Sequence, residues 1–158
     1  MYKRQIKANP GSWYLYSLLG NMYSDTYRQP DFEKAAEVYR KARELGAPAL
    51  TARKEFYALA RVPSKSREAL KLGKELFKDP RNRVPSLVTN IFVLENRLHV
   101  PEKDRIPFRE LYPTDEIARD MMTAHLANSL RYPVDGLRET LESLPEANPD
   151  DPAPDGKD

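Results

Sequence analysis

The sequence contains no cysteine, only two histidines and six scattered glycines among its 158 residues. Without cysteine the chain forms no disulfide, no thiolate metal site and no thiol nucleophile. Two histidines are too few for a histidine-rich metal centre, and isolated glycines do not build a phosphate-binding loop. We therefore expect no metal ion and no cofactor, and enzymes that depend on any of these groups are excluded.

Long hydrophobic runs are also missing, since no stretch approaches the roughly 18 consecutive apolar residues that span a bilayer. The mean hydropathy is −0.73. Residues 1–5 read Met-Tyr-Lys-Arg-Gln and are followed by no apolar segment of a signal peptide. This opening resembles the translated end of a sequencing adapter. We expect residues 1–5 to be a non-native leader and the native chain to continue upstream of Ile6, so the compartment stays undetermined and a membrane contact would need a missing upstream segment.

The net charge of +2 is unevenly distributed along the chain. Residues 146–158 carry five acidic residues and one lysine among several prolines, a composition that cannot bury enough apolar area to fold. We expect this segment to be a disordered acidic tail. The remaining body holds 25 basic and 19 acidic residues, a net charge of about +6.

Proline is abundant, with 14 residues, and eight of them recur with a period of about 33 residues. Proline ends helices because it lacks an N–H group and restricts the residue before it. One series is Pro48, Pro80, Pro113 and Pro145, and the other is Pro30, Pro63, Pro101 and Pro133. The two interleaved series predict an all-α solenoid of about four antiparallel helix pairs, roughly eight helices.

Residues between the prolines support this prediction, because apolar side chains recur there at helical spacing. The segment that starts at Pro85 has the widest apolar surface and predicts the most buried helix. Gly46 is placed to end one helix and Thr114 to cap the start of another. The last helix is expected to start at Pro133, and residues 101–113 leave room only for a short or broken helix.

The first proline-bounded unit, residues 12–48, combines large, small and aromatic residues in a set order: Tyr16, Leu19, Gly20, Tyr23, Ala35, Tyr39, Ala42 and Pro48. With these residues the unit resembles a tetratricopeptide repeat. The second unit keeps Ala69, Leu76 and Pro80 but has Tyr57 where the pattern has glycine, which predicts looser or shifted packing there. The resemblance implies a right-handed superhelix of stacked helix pairs over residues 6–145, with a concave groove for a peptide or protein segment.

The resemblance also implies which residues face the groove, because the first helix of each pair lines it. The groove candidates are Ser17, Asn21, Arg53, Tyr57 and Arg61. Their charge favours an acidic peptide or a carboxylate as the ligand. The stripe on the following helix is interpreted as a solvated basic face and comprises Arg67, Lys71, Lys74 and Lys78.

These patterns favour a protein-interaction scaffold without catalytic chemistry. His125 and Ser129 are four residues apart, but no oriented acid or oxyanion turn accompanies them, and we expect no catalytic residue.

A different hypothesis is that the chain is the helical regulatory or C-terminal part of a larger enzyme, with or without a membrane anchor. Nucleic acid is disfavoured because acidic residues interrupt the basic body. The acidic tail is a further candidate occupant of the groove.

Overall fold

The computed structural model describes residues 2–130 and 132–145. The described part of the chain is all-α: it contains nine α-helices and three short 3-10 helices, and no strand. The acidic segment 146–158, for which we expect disorder, lies outside the described residues. The α-helices are α1 Tyr2–Ala8, α2 Trp13–Tyr23, α3 Phe32–Glu44, α4 Ala49–Ala60, α5 Ser66–Phe77, α6 Pro85–Arg97, α7 Phe108–Leu111, α8 Asp115–Ala127 and α9 Leu137–Ser143.

The prolines separate these helices as predicted, because all eight members of the two series lie outside the α-helices. Pro85 is the first residue of α6, and the region 101–113 holds only a 3-10 turn and the four-residue α7. The expected helix start at Pro133 is wrong. Helix α9 begins at Leu137 instead, directly after Gly136, whose φ of 76° is left-handed. Tertiary hydrogen bonds hold the residues before Gly136 in an irregular path, as described below.

Local signals account for several helix ends. The Thr114 hydroxyl accepts a hydrogen bond from the Ile117 amide at 3.1 Å and caps the start of α8, as predicted. Gly46 follows the end of α3 with a φ of 91°, which also agrees with the prediction. At the start of α3, the Asp31 carboxylate accepts from the Lys34 amide at 3.0 Å. These caps satisfy backbone groups that have no partner inside the helix.

Neighbouring helices in the chain pack against each other from α1 to α6, and α4 and α8 also contact α6. Helix α6 is the centre of the core, because nine of its 13 residues are buried. The prediction that this is the most buried helix is confirmed. Its apolar side chains join one continuous cluster with side chains from α3, α4, α5 and α8. In the described part of the chain, no helix combines the length and the apolar character that a membrane crossing needs.

Two glycines allow neighbouring helices to approach closely. A Cβ atom on Gly20 of α2 would lie 2.4 Å from the ring of Tyr39 on α3. In the second pair, a Cβ atom on Gly73 of α5 would lie 2.6 Å from the ring of Phe56 on α4. The second pair therefore achieves a close approach with a glycine from its other helix, although Tyr57 occupies the position where the repeat pattern has glycine.

We expect Gly73→Ala to lower the free energy of unfolding by about 1–3 kcal/mol, because the added methyl group collides with the buried Phe56 ring. Without that collision, the same change inside a helix would stabilise by about 1 kcal/mol. Gly11→Ala is the matched control, since nothing lies within 4 Å of a Cβ atom there. Urea denaturation of both variants provides the measurement. A stabilising effect of Gly73→Ala would contradict the close approach.

Candidate functional site

Side chains on one side of α4 meet the start of α6. Arg53 donates a hydrogen bond from Nη1 to Asn82 Oδ1 at 2.8 Å, just before α6 begins. The Tyr57 hydroxyl lies 2.7 Å from Ser86 Oγ in the first turn of α6. Burial raises the pKa of Tyr57, and the hydrogen bond with Ser86 partly opposes this rise. We call this surface the α4 face; it comprises Arg53, Lys54, Tyr57 and Arg61, which follows the last residue of α4.

Asn21 links the α4 face to the first helix pair. Its side-chain oxygen accepts hydrogen bonds from the Tyr39 hydroxyl at 2.7 Å and from Lys54 Nζ at 3.1 Å. One side chain of α2 thus contacts both α3 and α4. Ser17, the other candidate on α2, is only 8% exposed and offers little surface to a ligand. The structure therefore brings Asn21, Arg53, Tyr57 and Arg61 to one side of the molecule and leaves Ser17 largely in the interior.

Arg61 takes part in a stack of flat side chains. Its guanidinium carbon lies 4.6 Å from the centroid of the Phe32 ring and 4.6 Å from that of Tyr132. The Tyr132 ring lies 5.0 Å from the His125 ring, with 33° between the two planes. We call these four residues the aromatic stack. The stack connects α3, the end of α4 and α8. A guanidinium group is attracted to the face of an aromatic ring, so the contacts of Arg61 with Phe32 and Tyr132 are favourable.

Hydrogen bonds from α6 and α8 hold the backbone next to Tyr132. His125 Nε2 donates to the Pro133 carbonyl at 3.0 Å, and Asn96 donates to the Asp135 carbonyl at 2.8 Å. Arg97 Nη2 also contacts the Asp135 carboxylate at 2.9 Å. We call residues 132–136 the Tyr132 segment. These bonds explain why Pro133 does not begin a helix, since they hold the segment across the ends of α6 and α8.

Cavities lie on both sides of the aromatic stack. The larger has a volume of about 380 Å³ and includes Arg61, Arg97 and Leu130 in its lining, and the second has a volume of about 230 Å³ and includes Ser24, Tyr39, Lys54, Tyr57 and Arg61. Tyr132 lines both of them. It also lines a third cavity of about 190 Å³ next to Ser86 and His125. We call these three cavities together the groove.

Among the described residues, the charged side chains that line the groove are cationic. Its cationic lining residues are Lys54, Arg61 and Arg97, and no carboxylate of the described residues lines any of the three cavities. A cavity of about 220 Å³ elsewhere on α3, α4 and α5 has the opposite character, with the lining carboxylates Glu33, Glu37, Glu55 and Glu68. The two surfaces therefore differ in the ligand charge that they favour.

Several residues that line the groove were not predicted from the sequence. Lys54 directly follows the groove candidate Arg53 on α4, and this position next to a candidate could have indicated it. Tyr132 carried no signal, because its segment was expected to form the start of a helix. His125 was considered only as a partner of Ser129, whereas its ring stacks on Tyr132 and bonds to Pro133. These last contacts join residues of irregular segments, for which helical periodicity gives no guidance.

The basic stripe on α5 is partly neutralised in the structure. Lys74 Nζ lies 3.4 Å from the buried Glu95 carboxylate and donates to the Asp104 carbonyl at 3.0 Å. Lys78 pairs with Glu75 at 3.0 Å. Lys71 remains exposed on the same helix. The stripe is therefore less uniform in charge than the sequence pattern indicates.

Comparison with known proteins identifies no relative: no protein-family model, no curated protein and no solved structure matches this chain. The resemblance to a tetratricopeptide repeat therefore depends on the residues of the chain alone. Within residues 2–130 and 132–145, no three histidine or carboxylate side chains are grouped so that they could hold a metal ion.

The His125 contacts predict a pH-dependent stability. Burial lowers the pKa of His125 below its ordinary value of 6.5, the hydrogen bond with Pro133 partly opposes this shift, and the Arg61 charge adds to it. Below pH 6.5 the unfolded chain therefore binds more protons at His125 than the folded chain does. The stability that the neutral His125 side chain contributes to the fold is complete above pH 6.5 and is lost as the pH falls.

We expect the stability difference between the unsubstituted chain and His125→Gln to shrink between pH 7.5 and pH 5.5. Urea denaturation at the two pH values measures this difference, in which the contributions of the carboxylates largely cancel. His99→Gln is the control, because His99 is exposed and that variant retains His125 and should keep the same pH dependence as the unsubstituted chain. A His125 variant with an unchanged pH dependence would contradict the prediction.

Proposed function

We propose that this chain is a protein-interaction module that binds an acidic peptide segment of a partner protein in the groove. The observation that carries the proposal is the charge of the groove lining, which combines Lys54, Arg61 and Arg97 with no carboxylate of the described residues. An anion that enters the groove thus meets the cations Lys54 and Arg61, while Arg97 is already paired with the Asp135 carboxylate at 2.9 Å. The groove provides binding and carries no catalytic step in this proposal.

The ammonium group of Lys54 lines the second cavity and can donate to a carboxylate. The lining hydroxyl groups of Tyr39 and Ser24 already donate to Asn21 and to the Gly20 carbonyl. With a volume of about 230 Å³, this cavity is smaller than a typical site for a drug-sized molecule, which occupies about 300–1,000 Å³. It has room for a side chain or two of a peptide that continues along the neighbouring cavities.

We further propose that the helices stack as a tetratricopeptide-like solenoid over residues 6–145. Three features support this arrangement: the proline period of about 33 residues, the packing of consecutive helices, and the contacts of α6 with both α4 and α8. In such a stack α2, α4, α6 and α8 are the first helices of their pairs. The groove is lined by residues of α4, α6 and α8, by Phe32 and Tyr39 of α3 and by the Tyr132 segment, which agrees with a ligand that contacts several repeats.

We expect Lys54→Gln to weaken binding of an acidic peptide by about threefold to tenfold, because the change removes a charge-assisted hydrogen bond. The probe is a fluorescein-labelled heptapeptide with three glutamates on each side of a central alanine, and fluorescence polarisation measures its affinity. Glutamine keeps an amide that can still donate to Asn21, so the substitution chiefly removes the charge.

Lys71→Gln is the matched control, because Lys71 is an exposed lysine on α5. A loss of affinity with Lys71→Gln and none with Lys54→Gln would contradict the proposal and would move the binding surface to α5. A peptide in which glutamine replaces each glutamate should bind weakly to all variants. Tighter binding of a single-stranded RNA heptamer than of the acidic peptide would favour a nucleic-acid ligand instead.

A further inference from the structure

Tyr132 is the one described side chain that lines all three cavities of the groove. The ring lines cavities of about 380, 230 and 190 Å³, which lie along α4, α6 and α8. The side chain is only partly buried, and it comes from the segment before α9 rather than from a helix. Rotation of this one side chain away from the stack would therefore free space that borders all three cavities.

Arg61 and His125, which both contact the Tyr132 ring, are also held by other contacts. Arg61 stacks on Phe32 with its guanidinium 4.6 Å from that ring, independently of Tyr132. His125 is only 6% exposed, belongs to α8 and bonds to the Pro133 carbonyl. Arg61 and His125 lie beside the Tyr132 ring, at 4.6 and 5.0 Å from its centroid, and form a slot that suits an aromatic ring. The slot keeps its walls when the Tyr132 side chain leaves it.

The backbone of the Tyr132 segment is tied down while the Tyr132 side chain can rotate. Pro133 and Asp135 are held by His125, Asn96 and Arg97 at distances from 2.8 to 3.0 Å. The proline after Tyr132 also restricts the backbone of Tyr132 to extended conformations. Rotation about the Cα–Cβ bond of a partly exposed residue needs no change in these bonds. The ring can thus vacate the slot without unfolding the segment.

We propose that Tyr132 occupies the position of an aromatic side chain of the partner, so that the groove recognises an aromatic residue flanked by acidic residues. The slot between Arg61 and His125 takes the ring. The cation Lys54, in the cavity of about 230 Å³ that Arg61 also lines, faces a flanking carboxylate, and Arg97 keeps its contact with Asp135. This inference rests on the function proposed above and adds the chemistry of the partner. On binding, the aromatic ring of the partner replaces the Tyr132 ring in the slot.

The test compares two labelled heptapeptides by fluorescence polarisation. Each has three glutamates on either side of a central residue, which is tyrosine in one peptide and alanine in the other. We expect the tyrosine peptide to bind the unsubstituted chain about threefold to tenfold more tightly than the alanine peptide. Equal affinities would overturn the inference, because the slot would then not contribute to binding.

The variant Tyr132→Ala removes the internal competitor. We expect it to tighten binding of the tyrosine peptide by about threefold to tenfold and to leave binding of the alanine peptide unchanged. Tyr27→Ala is the matched control, because Tyr27 is 89% exposed and lines none of the three cavities. An unchanged or lower affinity of Tyr132→Ala for the tyrosine peptide would overturn the exchange of rings.

A folding check and the affinity of the alanine peptide distinguish failure of this inference from failure of the proposed function. If Tyr132→Ala does not fold, as judged by circular dichroism, Tyr132→Leu replaces it, and the two-peptide comparison on the unsubstituted chain remains decisive. If the alanine peptide binds with a dependence on Lys54 and tyrosine adds nothing, only this inference fails. If neither peptide binds, the proposed function fails and the inference fails with it. Nuclear Overhauser effects between the peptide tyrosine ring and His125 would support the slot directly.

Discussion

The last turn of α6 holds both irregular segments in the second half of the chain. The buried Glu95 carboxylate accepts a hydrogen bond from the Ile106 amide at 3.0 Å and lies 3.4 Å from Lys74 Nζ. Burial raises the pKa of Glu95, and the contacts with Ile106 and Lys74 oppose this rise. Asn96 receives a hydrogen bond from Arg105 at 2.7 Å and donates one to the Asp135 carbonyl. The path of both segments therefore depends on polar contacts with this turn.

The position of the α6 turn also decides the shape of the groove. Arg97 and Asn96 hold Asp135, and this contact directs the Tyr132 ring towards Arg61 and His125. The Tyr132 segment, which leads into α9, thus supplies one side chain to the lining of three cavities. The Arg97 side chain and the Tyr132 ring thus reach the groove through neighbouring contacts at the end of α6.

Much of the helical layout could be predicted from the sequence. Proline restricts its own backbone and that of its neighbour, so a regular proline series marks helix boundaries whatever the tertiary packing. The caps at Thr114 and Gly46 are local in the same way and were predicted correctly. At Pro133 the local signal pointed to a helix start, but hydrogen bonds from distant residues prevailed. The close approach in the second pair shows a related limit, since Gly73 supplies it from an unexpected helix.

Composition and periodicity by themselves determined an all-α chain with proline-bounded helices and a basic α4, because these properties depend on each residue and its near neighbours. Only the tertiary structure decided which cations share a cavity, that Ser17 is buried, and that Phe32, Arg61, Tyr132 and His125 form one stack. Phe32 and Tyr132 are 100 positions apart in the chain. Contacts over such distances follow from how helices and irregular segments pack, which no local pattern records.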